Sequence, residues 1–199
     1  MSTLEVGKIV PATGTAITLG DSGDTFTLPA SATLTIAGTI NASSGTATGF
    51  GDNTPAWHVG LNSSTQSISD DTVTKVELDD VKFDTGFTWD TTNFRGIPGT
   101  VGKYLIGCFA GLDTSSTSLV NAFVYLYKNG ASQAWWELDL SGNVFDNGGL
   151  GGTTILDLGA TDYVEMFVYF DFNSTSATLR QIDSTQCVTY MFGTKLIGA

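Results

Sequence analysis

The sequence predicts an all-β protein of the sandwich or jelly-roll class, and three observations carry that prediction. Apolar residues recur with a period of two in short runs, never with the sustained 3.6-residue period of a helix. About eight to ten such runs follow one another between residues 55 and 199, separated by clusters of Gly, Asn, Asp, Ser and Pro. The composition agrees: 24 glycines, only 14% charged residues and abundant Thr and Ser suit short strands joined by many turns. With 199 residues the chain has room for one sizeable β domain and a small accessory module, but not for two ordinary cores.

The first 40 residues have a texture of their own. Three segments repeat a threonine-apolar alternation, AITL at 16–19, TFTL at 25–28 and TLTI at 33–36, with turn residues at 20–24 and 29–32 between them. Each aims two apolar side chains at one face and its threonines at the other. So few buried side chains cannot offset the backbone entropy of ordering the segment. It is therefore expected to form a shared core with two other copies about a threefold axis, or to dock on another protein. Residues 1–40 are thus predicted to be an attachment and trimerisation module. Residues 41–54, rich in Gly, Ser and Thr, form a linker, and 55–199 form the head.

Within the head, PAWHVGL at 55–61 reads as the first strand, 62–71 as a polar loop, 72–78 as a second strand and 81–89 as a mixed strand and turn. The stretch 94–109, FRGIPGTVGKYLIGCF, is the clearest architectural signal: a turn-rich entry feeding a dense apolar strand. Tyr104, Ile106 and Cys108 point one way, and Leu105, Gly107 and Phe109 the other. A strand apolar on both faces lies inside a sandwich or between a sheet and a partner subunit, and the second is expected here. Residues 113–118 read as a loop, and 121–127 as a strand ended by Lys128-Asn129-Gly130, a strong hairpin signal. Strand 134–140, a glycine-rich loop at 141–152, and strands at 153–158, 162–172, 177–181 and 188–197 complete the chain.

Charge and motif exclude several chemistries. Eight Lys and Arg against twenty Asp and Glu give a net charge of −12, which repels phosphate backbones and anionic membranes, so neither nucleic-acid binding nor membrane insertion is expected. The N-terminus has no basic and apolar leader pattern, which predicts synthesis and assembly in a cytoplasm. Cys108 and Cys187 read as structural thiols rather than a disulfide framework. The GDSG run at 20–23 invites comparison with a serine-protease motif, but the lone histidine, His58, belongs to another module and follows the serine, so the run is a hairpin turn. His58 is expected to pack or to lie in an interface, since no second histidine accompanies it. The acidic pairs Asp70-Asp71 and Asp79-Asp80, and the acidic stretch 139–146, have no calcium-loop spacing and read as solvated turns. No catalytic residue, metal or cofactor is predicted. Trp135 and Trp136 alternate, placing Trp136, Leu138 and Leu140 in the core and Trp135 outside, where it is free to stack on a sugar, fill a neighbour's pocket or be covered at an interface. Together with Asp113, Ser115 and Asn147 of the two loops, Trp135 is a candidate receptor contact.

The ordered features AWHV at 56–59, VKFD at 81–84, Phe94 with Pro98, Gly102, Tyr104 and Ile106, Leu158 with Asp162 and Val164, and finally Phe192-Gly193 with Leu196-Ile197, together resemble the complement C1q globular head and the wider tumour-necrosis-factor-like family. The resemblance implies a ten-strand jelly roll packed as a compact homotrimer. Leu105, Gly107, Phe109, Val164, Tyr190 and Phe192 would lie at the threefold interface. Animal members follow a collagen stalk or membrane anchor, whereas the threonine-rich repeat here, joined through TGFG at 48–51, resembles bacteriophage tail-fibre and head-fibre proteins. The expected function is that of a non-enzymatic trimeric virion protein, assembled in the host cytoplasm, held to other virion proteins by its N-terminal module and presenting its head to a host-surface glycan or protein. Capsid decoration or cementing is the alternative, and polysaccharide degradation a third reading.

Overall fold

The structure is a computed structural model of the 199-residue chain and describes residues 54–62, 65–172, 176–179 and 188–196, with scattered positions between 25 and 37; for 114–118, 142–147 and 176–177 it describes the backbone alone. The N-terminal repeat, the GDSG turn, nearly all of the linker, Cys187 and Ile197 lie outside the described residues. The chain divides into two units, Met1–Ala47 and Thr48–Ala199, and the fold below is that of the second.

Eleven antiparallel strands and no helix occur among the described residues. They are β1 (Ala56–Gly60), β2 (Gln66–Ser69), β3 (Thr74–Lys75), β4 (Asp80–Thr85), β5 (Thr88–Asp90), β6 (Arg95–Ile97), β7 (Gly102–Lys128), β8 (Ala131–Leu158), β9 (Val164–Phe172), β10 (Ser176–Leu179) and β11 (Tyr190–Lys195). No helix here is long and apolar enough to cross a membrane.

A 27-residue and a 28-residue strand dominate, β7 and β8, paired from Gly102↔Leu158 to Lys128↔Ala131. Their connection is the two-residue turn Asn129-Gly130, with φ of 52° and 77°, the left-handed pair that a tight hairpin needs. The hairpin serves two sheets. Residues 104–109 of β7 pair with β11, which pairs with β1, which pairs with β4; the end of β8 lies on the other side. Residues 119–128 of β7 pair with β9, which also holds β3 and β6, and the start of β8 lies beyond. Register breaks at 113/117 and 119/121 mark the crossing between the two sets. A straight strand would hold Trp136 and Gly152 roughly 50 Å apart at ~3.3 Å per residue. Instead the Trp136 indole lies directly on Gly152, so β8 folds across the sandwich and faces itself.

The core lies between the layers. Trp57, Val59, Tyr104, Ile106, Cys108 and Met191 come from one sheet, and Ala122, Val124, Leu126, Val164, Met166, Val168 and Phe170 from the other, in one continuous cluster. Burial pushes the Cys108 thiol up, as for a small hydrophobe in an apolar site. Some polar groups that enter the core are paired: the Trp89 indole N–H donates to the Leu78 carbonyl at 2.8 Å, and buried Glu165 meets Lys75, whose ammonium also donates to the Asn93 carbonyl at 2.7 Å, whereas the buried Trp57 indole nitrogen has no hydrogen-bond partner in this structure.

Two segments read as loops, 113–118 and 141–152, are strand, as parts of β7 and β8. Glycines of the second serve close approach: Phe109 covers Gly149 and Gly151, and Trp136 covers Gly152. The segment 62–71 was also read as loop, yet it contains β2, which pairs with β10. Conversely, 72–78 contributes only the short β3, although Val76 and Leu78 are fully buried.

Asp162 ties the hairpin tip to the β8–β9 turn. Its carboxylate accepts from the Lys128 ammonium at 2.8 Å, the Asn129 amide at 2.7 Å and the Gly159 N–H at 2.7 Å. These donors, led by Lys128 and Asn129, hold its pKa at about 2, below the ordinary 3.8. A carboxyl depressed on folding stabilises the fold above its unfolded pKa and loses that contribution as the pH falls through the folded value. Between about pH 4 and pH 2 the melting temperature is therefore expected to fall less steeply in Asp162→Asn than in the parent, in parallel thermal melts.

Candidate functional site

The pleat of the first sheet puts a second, largely aromatic surface on the side away from the core. On β1, Trp57 and Val59 point inward, so Ala56 and His58 point outward. The register aligns His58 with Phe83 of β4 and Phe192 of β11, Tyr190 with Phe109 of β7, and Thr194 with Leu105. Beyond β7, Leu105 faces Ile155 and Phe109 faces Gly151 of β8. One apolar band thus crosses five strands, on the order of 19 Å at ~4.8 Å per strand.

The rings interlock. Phe109 stacks on Tyr190 at 5.6 Å, Tyr190 lies 6.3 Å from Phe192, and His58 makes edge contacts with Tyr190 at 5.3 Å and Phe83 at 6.2 Å. Phe192 occupies the space above Gly107, and Phe109 the space above Gly149 and Gly151, so the glycines let both rings lie flat on the sheet. Phe83 and Ile155 remain 49% and 55% exposed, and Tyr190, Phe192, Phe109 and Leu105 half-buried. An open depression of about 500 Å³ lies among Ala56, His58, Phe83, Tyr190, Phe192 and Thr194. The His58 Nε2 is buried with no hydrogen-bond partner in this structure. Burial, then the Lys82 ammonium, lowers the His58 pKa against the opposing pull of Asp80, so the imidazole is neutral near pH 7.

Of the predicted interface residues, Leu105, Gly107, Phe109, Tyr190 and Phe192 come together on this face. Val164 does not. It is fully buried in the core from the other sheet, opposite Gly96, and cannot touch another subunit. His58, expected to pack or to lie in an interface, belongs to the band; sequence reasoning missed Phe83 and Ile155, and the alternation through VKFD was the available signal for the first of these.

The candidate receptor contacts separate. Asp113 and Asn147 are directly opposite one another where the hairpin crosses between sheets, and Ser115 sits inside the register break beside them. Trp135 is 61% exposed and lies on the outer face of the second sheet, while Trp136, Leu138 and Leu140 pack against the core as the alternation required. The acidic turns serve the fold. Asp70 accepts from the Phe172 N–H at 2.7 Å, Asp71 accepts from the Tyr169 hydroxyl and holds that phenol up at about 12, Asp79 accepts from the Asn62 N–H at 2.9 Å, and Asp80 pairs with Lys82 at 2.6 Å. Among the described residues no group of three or more His, Cys, Asp or Glu side chains is placed to hold a metal ion.

No family model and no curated protein matches the sequence. Among solved structures the chain is similar to the tumour necrosis factor Eiger of S. frugiperda, at 14% identity and a TM-score of 0.52 over 72% of this chain and 93% of that one. It is also similar to murine APRIL at pH 5.0, at 14% identity and a TM-score of 0.50 over 71% and 98%. The globular domain of zebrafish complement 1qA aligns at 15% identity over 71% and 96%, with a TM-score of 0.48 that carries no weight by itself. At such identities the likeness is one of fold: the head is a tumour-necrosis-factor-like jelly roll.

Proposed function

We propose that this chain is a non-enzymatic homotrimeric virion structural protein of the bacteriophage tail-fibre or fibre-like kind, whose head is presented for host-surface attachment. One observation carries the assembly: the five-strand aromatic band on the first sheet is uncovered in a single subunit. Soluble proteins rarely leave so continuous an apolar band open to water, and one that is open marks an interaction surface. Closing three copies about an axis buries it while removing an exposed face from all three at once. The fold supports the same arrangement, since the family resemblance puts this sheet at the threefold axis.

The virion setting rests on the threonine-apolar repeat of 1–40, whose apolar faces call for neighbours. Native mass measurement and light scattering of the purified chain are expected to give a trimer of the 20.9 kDa subunit. A stable monomer at micromolar concentration would overturn the assembly. For attachment, an excess of purified head is expected to block adsorption of the virus to cells. Loss of particle stability with adsorption intact would point to capsid decoration instead.

A further inference from the structure

The outer face of the second sheet breaks the usual alternation of a sandwich, in which outward positions are polar. On β7 the outward residues are Phe123, Tyr125 and Tyr127, and on β9 they include Phe167 and Tyr169. On β8 they include Trp135 and Glu137, opposite Tyr125 and Phe123. Six rings therefore share one surface. Phe123 and Tyr125 are nearly parallel, 5.7 Å apart at 10°, and Tyr127 stacks on Phe167 at 4.3 Å. Trp135, Tyr125 and Phe167 form one cross-strand row, with Trp135 at the open edge.

Polar groups border the row, and nearly all are acceptors. Glu137 stands beside Tyr125, Asp139 and Asp171 both lie opposite Asn121, and Asp71 accepts from Tyr169. The cation here, Lys75, lies 5.8 Å from the centre of the Phe167 ring and is engaged by Glu165. Such a surface repels anions. Its negative ring faces attract the weakly positive C–H faces of a pyranose, and its carboxylates accept from sugar hydroxyls.

From this arrangement we infer that the outer face of the second sheet is a binding platform for an uncharged oligosaccharide, with sugar rings stacked along Trp135, Tyr125 and Phe167 and hydroxyls donated to Glu137. The inference deepens the attachment reading and rests on it for its biological use. It does not rest on the trimer, because every residue of the platform belongs to one subunit and to the sheet opposite the aromatic band.

The test is calorimetric titration and saturation-transfer NMR of the full chain with maltohexaose, cellohexaose and a β-linked galactan hexamer, alongside anionic sialyllactose and cationic hexalysine. At least one uncharged oligomer is expected to bind, and sialyllactose is not. Trp135→Ala is expected to weaken that binding tenfold or more and Trp135→Phe to weaken it less, with melting temperatures unchanged because the side chain is mostly exposed. The inference is overturned if no uncharged oligomer binds, if hexalysine alone binds, or if Trp135→Ala titrates like the parent. Sugar binding without inhibition of viral adsorption would keep the platform and remove its attachment role. Inhibition of adsorption by head that binds none of the oligomers would do the reverse.

Discussion

Phe109→Asp is expected to convert the proposed trimer to monomers. In one subunit the Phe109 ring is stacked on Tyr190 and seated over Gly149 and Gly151, in the middle of the aromatic band. In a closed trimer the substitution brings three carboxylates towards one axis, within a largely aromatic band. Each uncompensated buried charge costs several kcal/mol, so association weakens by more than about a thousandfold. Sedimentation at micromolar concentration reads the change directly. Because Phe109 also packs within its own subunit, Ile155→Asp is the companion variant: that side chain is 55% exposed, so its replacement costs the monomer little. Trimers that survive both substitutions would move the interface to another face.

Gly193→Val is expected to damage the subunit itself. A Cβ on Gly193 would fall 2.1 Å from the Trp57 indole, and Trp57 is fully buried, stacked on Phe87 at 3.8 Å and tilted against Tyr104 at 6.0 Å. A retreat of the indole is opposed by the two rings it packs on. Overpacking of this kind costs about 1–3 kcal/mol and more where relief is blocked, which for a domain of this size lowers the melting temperature by roughly 5–10 °C. An unchanged melting temperature would mean that β11 shifts away from β1 at no cost, and the Ala56↔Thr194 to Gly60↔Tyr190 register would have to be read as loose.

The contrast between these variants follows the two sides of one pleat, and much of that pleat was legible in the amino-acid order. The alternation from Tyr104 to Phe109 separates core from outer face as observed, with Tyr104, Ile106 and Cys108 buried. Lys128-Asn129-Gly130 marks the hairpin tip, and the Trp135-Trp136 pair splits as a strand requires. The strand at 162–172 resisted the same reading because it is apolar on both sides: Val164, Met166, Val168 and Phe170 fill the core while Phe167 and Tyr169 lie outside. Parity cannot rank two apolar faces, so it gave no ground against the interface place that the family resemblance implied for Val164, and it did not mark Phe167 and Tyr169 as outer neighbours of the outward Trp135.

Glycine misled for a related reason. The glycine-rich part of 141–152 carries the composition of a loop, yet its glycines lie beneath aromatic rings delivered by residues far away in sequence: Phe109 over Gly149 and Gly151, and Trp136 over Gly152. A missing side chain can mean freedom or a vacancy reserved for a partner, and only the tertiary neighbour distinguishes them. The same applies to 113–118, whose polar residues continue β7 with Asp113, Thr117 and Ser118 paired to β8 on the two sides of a register break.

The β7–β8 hairpin also fixes how the head bears load. Since each of its strands belongs to both layers, the layers are joined by peptide bonds as well as by side-chain packing. Tension entering through β11 and β1 passes along the backbone of β7 into the ladder with β9, so neither layer can peel away while the other stays intact. The head is therefore a single mechanical unit that yields in one step: fluorescence of Trp57 in the first sheet and backbone signals from the second are expected to disappear together.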